Sequence, residues 1–147
     1  MRTVSKLTDQ SRARLRLDVS RRAFALMTVL AAKPGAISDP MPVAKGRVSS
    51  VLIYKVMGKM FAIVSLRGAE SVILKCDPNL AHALRQQFTG VGHRSHLDKR
   101  FWICVTLDAD VPTKEVRRLV KHSYDLVCSG LTGKQKAELA ALPRCRV

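Results

Sequence analysis

Lys55 and Lys59 flank Met57-Gly58, and a second group of cations, Arg94, His96, Lys99 and Arg100, runs up to Trp102. Ammonium and guanidinium groups neutralise phosphate oxygens and donate hydrogen bonds to them, and an indole or imidazole ring gives a base a face to stack on. These residue types, gathered at two turns, suit a nucleic-acid backbone. The same lysines would serve equally as solvated surface charge, and Trp102 would equally fill a core.

Other chemistries have less support. Cys76, Cys104, Cys128 and Cys145 are spaced by 28, 24 and 17 residues, with no C-x-x-C pair, so neither zinc nor a redox dithiol is suggested. The first three lie in apolar runs and read as small buried hydrophobes in a reducing cytosol. His93 and His96 have no carboxylate cluster beside them, and Gly90-Val91-Gly92 lacks the strand and helix context of a dinucleotide site. His122-Ser123-Tyr124-Asp125 falls in a helical pattern, where sequence neighbours point in different directions, so it is not a triad. Tyr124 reads as a packing residue whose hydroxyl finds a partner, and His122 as a boundary residue. A non-catalytic protein with no cofactor and no metal is expected.

The chain has 147 residues, which fits one domain with a single core. Its 26 Lys and Arg against 11 Asp and Glu give a net charge of +15, a strong positive potential that favours polyanions. The excess is uneven. Residues 1–22 carry +5, residues 45–100 carry +7, residues 101–147 carry +3, and residues 23–44, with only Lys33 and Asp39, are neutral. Ser20-Arg21-Arg22-Ala23-Phe24-Ala25-Leu26 resembles a twin-arginine export signal, but the apolar run behind it stops at Lys33-Pro34. No run reaches the roughly 18 apolar residues of a membrane span. The expectation is a cytoplasmic protein with no membrane partner.

The elements that must position the two basic groups follow from periodicity. Residues 1–20 form a basic arm, 21–142 the domain and 143–147 a tail. Ser20 is an N-cap, Phe24, Met27, Leu30 and Ala31 recur at helical spacing, and Pro34-Gly35 stops the helix. Asp39-Pro40-Met41-Pro42 reads as an extended connection. Val48 to Leu66 is a hairpin turning at Met57-Gly58, pairing Val56 with Lys59, Lys55 with Met60 and Tyr54 with Phe61. Simple alternation then places Leu52, Tyr54, Val56, Phe61 and Ile63 on one face. The other face holds Val51, Ile53, Lys55, Met60, Ala62 and Val64 and remains largely apolar, so a helix, the arm or another subunit is expected to cover it.

Ser71 to Cys76 is a third strand. Asp77-Pro78 starts a second helix that carries Leu80, Leu84 and Phe88. The polar run His93 to Arg100 reads as a strand and turn leading into the strand Phe101 to Leu107. Pro112 opens a long helix with Val116, Leu119, Val120, Ser123, Tyr124, Leu126 and Val127 on its apolar stripe and Lys114, Arg117, Arg118 and Lys121 on its wet side. Gly130 ends it, and Lys134 to Leu142 is a short, loosely docked helix. The result is a two-layer α+β domain of order α-β-β-β-α-β-β-α, an antiparallel sheet of about five strands with three to four helices.

Y-K-V-M-G-K-M-F-A-I-V-S-L, then V-I-L-K-C-D-P, H-L-D-K-R-F-W-I-C-V-T-L and H-S-Y-D-L-V-C-S-G-L, in that order, resemble the MmcQ/YjbR-like family over roughly Phe24 to Leu139. The resemblance implies a small α+β domain with an antiparallel sheet, described for the family as carrying a double-wing DNA-binding motif. Lys59 and Lys99 fall within the matching motifs. The Arg-rich arm lies outside the shared region, and Ile37 to Val48 is proline-rich where relatives often carry acidic or aromatic residues.

Two readings stay open. In the first, the protein binds nucleic acid, most simply DNA, through its phosphates with low sequence specificity, using Lys55, Lys59, Arg94, His96, Lys99, Arg100 and Trp102. In the second, the apolar second sheet face docks a protein or forms a homodimer, and the charge serves solubility and steering.

Overall fold

Ser20 starts the first helix as its hydroxyl accepts from Ala23 N–H, and helix α1 (Arg21–Ala31) buries Ala23, Leu26, Met27 and Leu30. The run that resembles an export signal is therefore a core helix. The computed structural model describes residues 20–46, 49–93 and 96–142; the arm as far as residue 19 and the tail 143–147 lie outside them. After α1 the chain reverses at Gly35, whose φ of +73° is open to glycine at little cost.

Strand β1 (Ala36–Pro40) follows and pairs antiparallel with β2 (Val51–Val56). This corrects the expected extended connection. Pro40 disfavours a central strand, but β1 is an edge strand, where a missing N–H faces solvent. Among the described residues the sheet consequently has six strands, in the order β1, β2, β3 (Lys59–Ser65), β4 (Ser71–Lys75), β6 (Trp102–Thr106) and β5 (Val91–Gly92).

Met57 and Gly58 both have positive φ, 49° and 78°, as a tight hairpin turn between right-twisted strands requires. The turn leads into β3 (Lys59–Ser65) with Val56 opposite Lys59 and Lys55 opposite Met60, as read from the sequence. Beyond that point the register shifts, and Tyr54 faces Ala62 instead of Phe61. Phe61 is the extra residue of a β-bulge, and one extra residue inverts every later side chain. Ile63 thus joins Ile53 on the open face, while Ala62 and Val64 join Leu52 and Tyr54 in the core. Phe61 itself stays in the core, edge-on to Tyr54 at 6.4 Å and to Tyr124 at 5.3 Å between ring centroids.

Strand β4 (Ser71–Lys75) lies between β3 and β6 (Trp102–Thr106). Asp77 caps helix α2 (Pro78–Gln87) by accepting from Asn79 and Leu80 N–H. The expected strand through His93 reduces to β5 (Val91–Gly92), opposite Val105 and Cys104, and the described residues between it and β6, His93 and 96–101, form no strand or helix.

Helix α3 (Thr113–Ser129) lays Val116, Leu119, Val120, Ser123, Tyr124 and Val127 across β2, β3 and β4, with α1 beside it. Helix α4 (Gly133–Ala141) begins with a reciprocal Thr132–Gln135 capping box and buries no residue fully. Its Leu139 closes over Gly35, where a Cβ would sit 2.7 Å from Leu139 Cδ1. The resulting order is α-β-β-β-β-α-β-β-α-α, two layers with one core between them.

Candidate functional site

The register places the Lys55–Lys59 turn and the entry to Trp102 at one end of the sheet. β3 begins at Lys59, β4 ends at Lys75, and β6 begins at Trp102 directly opposite Lys75. The Met57-Gly58 turn and the loop entering β6 therefore project from the same end, separated by β4, or about 10 Å at two strand spacings. The first is a hairpin tip. The second is a loop anchored to α2, because Arg85 Nη2 donates to the carbonyls of Lys99 at 2.7 Å and Trp102 at 2.9 Å.

The seven candidate side chains fall into different environments. Lys55 is half-buried on the open sheet face, opposite Ile37 on one side and Met60 on the other. Trp102 is half-buried on that same face beside Lys75, neither in the core nor free of the sheet. His96 is exposed at the rim of a groove on that face. Lys99 is exposed in the loop. Arg94 lies outside the described residues.

Lys59 and Arg100 are already engaged. Lys59 points to the other side of the sheet, where Nζ donates to Gly130 O at 3.5 Å, at the C-terminus of α3. A cation there complements the helix dipole. Arg100 grips Asp98 through both Nε and Nη2, the shortest contact being 2.7 Å, with its guanidinium 5.3 Å from the Phe101 ring centroid. The hydrogen bonds from Arg100 hold the Asp98 carboxyl down at about 2.

The open face carries a groove of about 420 Å³ lined by Met41, Val51, Ile53, Met60, Ile63 and Ile73, with Arg67 and His96 at its rim. Among the described residues, only strand and loop residues line it. Two further cations of this face, Lys75 and Arg67, were not singled out from the sequence. Strand parity was the available signal for Lys75, since Ser71, Ile73 and Lys75 alternate onto the open side. On the helix layer, Lys114, Arg117, Arg118 and Lys121 run along the outer side of α3, next to Arg21 and Arg22 from α1 and Lys33 just beyond it.

His122, Ser123 and Tyr124 have structural roles. His122 Nε2 accepts from Asp77 N–H at 3.2 Å, Ser123 Oγ bridges two strands, and Tyr124 OH donates to the Pro34 carbonyl. Three consecutive residues of one helix thus tie down three separate segments. Cys76, Cys104 and Cys128 are free thiols, the first two buried, and burial pushes the Cys76 thiol up to about 11. No three His, Cys, Asp or Glu side chains converge among the described residues.

A sequence model described as YjbR matches residues 31–126. The uncharacterized protein YjbR of Escherichia coli strain K12 is 35% identical over 89 residues, covering 60% of this chain and 75% of that protein. The uncharacterized protein YbdF of Escherichia coli O157:H7 is 29% identical over 85 residues, covering 57% of this chain and 70% of its own. A solved Deinococcus radiodurans structure, described as a DUF419 domain, has a TM-score of 0.68 at 30% identity, covering 82% of this chain and 88% of that one. A Pseudomonas syringae structure shares the fold at a TM-score of 0.50 and 22% identity, over 60% of this chain and 86% of its own.

Proposed function

The chain belongs to the YjbR family, and from that premise we propose that it is a non-catalytic cytoplasmic protein that binds nucleic acid, most simply DNA, through phosphate contacts with low sequence specificity. The observation that carries this reading is the set of cations at one sheet end that have no carboxylate in ion-pairing reach among the described residues: Lys55, Lys75 and Lys99, with Trp102 beside them. Lysines on strand ends and turns reach phosphate oxygens without entering a groove, so they position a backbone and carry little sequence information. A half-exposed indole on the same face gives an unpaired base a stacking surface. Arg94, outside the described residues, stands five positions before Lys99 in the sequence. Lys59 and Arg100 join only by giving up Gly130 and Asp98.

Fluorescence anisotropy with duplex and single-stranded oligonucleotides across a salt series tests the proposal. Binding should weaken by orders of magnitude between about 50 and about 200 mM salt, and a Lys75→Glu/Lys99→Glu variant should lose it. No binding at the lower salt, or equal binding by the variant, rules it out.

The apolar groove, which no described helix covers, favours a second reading, a protein-docking or homodimer surface. An apolar interface changes little with salt. Sedimentation across a range of concentrations checks for the dimer, and a strict monomer that captures no partner counts against it.

A further inference from the structure

We propose that the outer groove between α1 and α3 is a second polyanion-binding surface, so that one molecule holds two nucleic-acid segments at once. This rests on the nucleic-acid reading above. Two adjoining depressions form the groove, and they share Thr113 and Arg117.

One depression, of about 360 Å³, has an apolar floor that includes Leu26, Leu107 and Val116, with Arg21, Arg22 and Arg117 at its edge. The other is bordered by Lys33, Lys114, Arg117, Arg118 and Lys121. Low-dielectric walls beneath charges of one sign focus the field and strengthen attraction for an anion.

Nearby carboxylates answer only part of this charge. Asp108 lies 3.6 Å from Arg22, Glu115 pairs with Arg118 at 3.2 Å, and Asp125 pairs with Lys121 at 2.7 Å. Arg21, Lys33, Lys114 and Arg117 have no carboxylate within ion-pairing distance among the described residues. Arg22 is further oriented by donating to the Leu107 carbonyl. The groove is not complementary to residues 1–19, whose five Lys and Arg outnumber two Asp. A repeating anion is the occupant whose charge matches.

Position makes the surface independent of the sheet-end site. The groove lies over the N-terminal half of α3, while Lys59 marks the helix's C-terminal end. Seventeen residues of helix separate these ends by about 25 Å. The groove also faces outward from the helix layer, whereas Lys55, Lys75 and Trp102 face outward from the sheet. A short straight duplex docked on one side leaves the other free.

The test uses the full chain, a biotinylated duplex on beads and a second, fluorescent duplex that is retained only if bridged. Anisotropy on a single duplex runs in parallel. Wild type should retain the second duplex. Lys114→Glu/Arg117→Glu, and the milder Lys114→Gln/Arg117→Gln, should still bind one duplex but lose retention, with unchanged circular dichroism because both side chains are exposed. Retention undiminished in both groove variants overturns the proposal and assigns bridging to dimers. Wild type that binds one duplex but retains no second one also overturns it. Wild type that binds no duplex at all overturns the nucleic-acid reading itself.

Discussion

The Ser123 hydroxyl donates to the Phe61 carbonyl at 2.6 Å and accepts the Lys75 N–H at 2.9 Å. Beyond the Ala62–Leu74 pair the β3–β4 ladder stops, and this side chain from α3 stands where the next strand-to-strand bond would be. The bulge at Phe61 displaces the carbonyl, and Ser123 restores a partner to both groups while fully buried. Ser123→Ala therefore leaves a buried donor and acceptor unpaired and should destabilise by about 1–3 kcal/mol. Urea unfolding measures it, and a loss below the error of the fit would show that water takes over the bridge.

Gly35→Ala should destabilise for two separable reasons. The positive φ costs an L-residue about 1–2 kcal/mol, and the new Cβ meets Leu139 Cδ1 at 2.7 Å. Leu139 ends a flexible side chain on a lightly docked helix, so that contact can relax. A double-mutant cycle with Leu139→Ala should recover the contact but not the backbone cost. Full rescue would mean the left-handed conformation is not strained.

The aspartates predict a defined acid response. Asp98 is held at about 2 by Arg100, and Asp110 is lowered by accepting the N–H groups of Thr89 at 2.8 Å and Gly90 at 2.7 Å. Folded-state values below the unfolded ones mean a stabilisation present above about pH 4 and lost as the pH falls toward the folded values. Carboxyl NMR titration should show both midpoints low. Arg100→Gln should move Asp98 up toward about 3.9 and leave Asp110 where it is.

The lysines of the sheet end should separate by role. Lys75→Gln and Lys99→Gln should each reduce the slope of log affinity against log salt by about 1. Lys59→Gln should leave the slope nearly unchanged and instead cost about 0.3–1 kcal/mol of stability, because its ammonium complements the C-terminus of α3. Anisotropy and thermal unfolding on the same three variants decide it. A full unit of slope lost at Lys59 would show that the ammonium leaves Gly130 when phosphate is present.

Local signals made most elements legible. Ser20, Asp77-Pro78, Pro112 and Gly130 mark helix ends by capping chemistry, and the α3 stripe follows from its period. β1 was hidden because Pro40 removes a donor, a loss that matters only if another strand lies on that side. The bulge was hidden because Phe61-Ala62-Ile63-Val64 is apolar throughout, and a run without alternation carries no record of which residue faces which way.

The basic groups at Lys55 to Lys59 and at Lys99 to Trp102 were visible as residue types. Their partners were not, since Gly130, Asp98 and Arg85 are chosen by packing and loop geometry. Sequence by itself determined the α+β class and the sign and size of the charge, because capping, periodicity and composition act within a few residues; the family came from the resemblance of its motifs. Only the tertiary structure decided which of the described cations are answered and which are not, because Coulomb and hydrogen-bond energies depend on distances set by elements up to 85 residues apart, as Arg22 and Leu107 are.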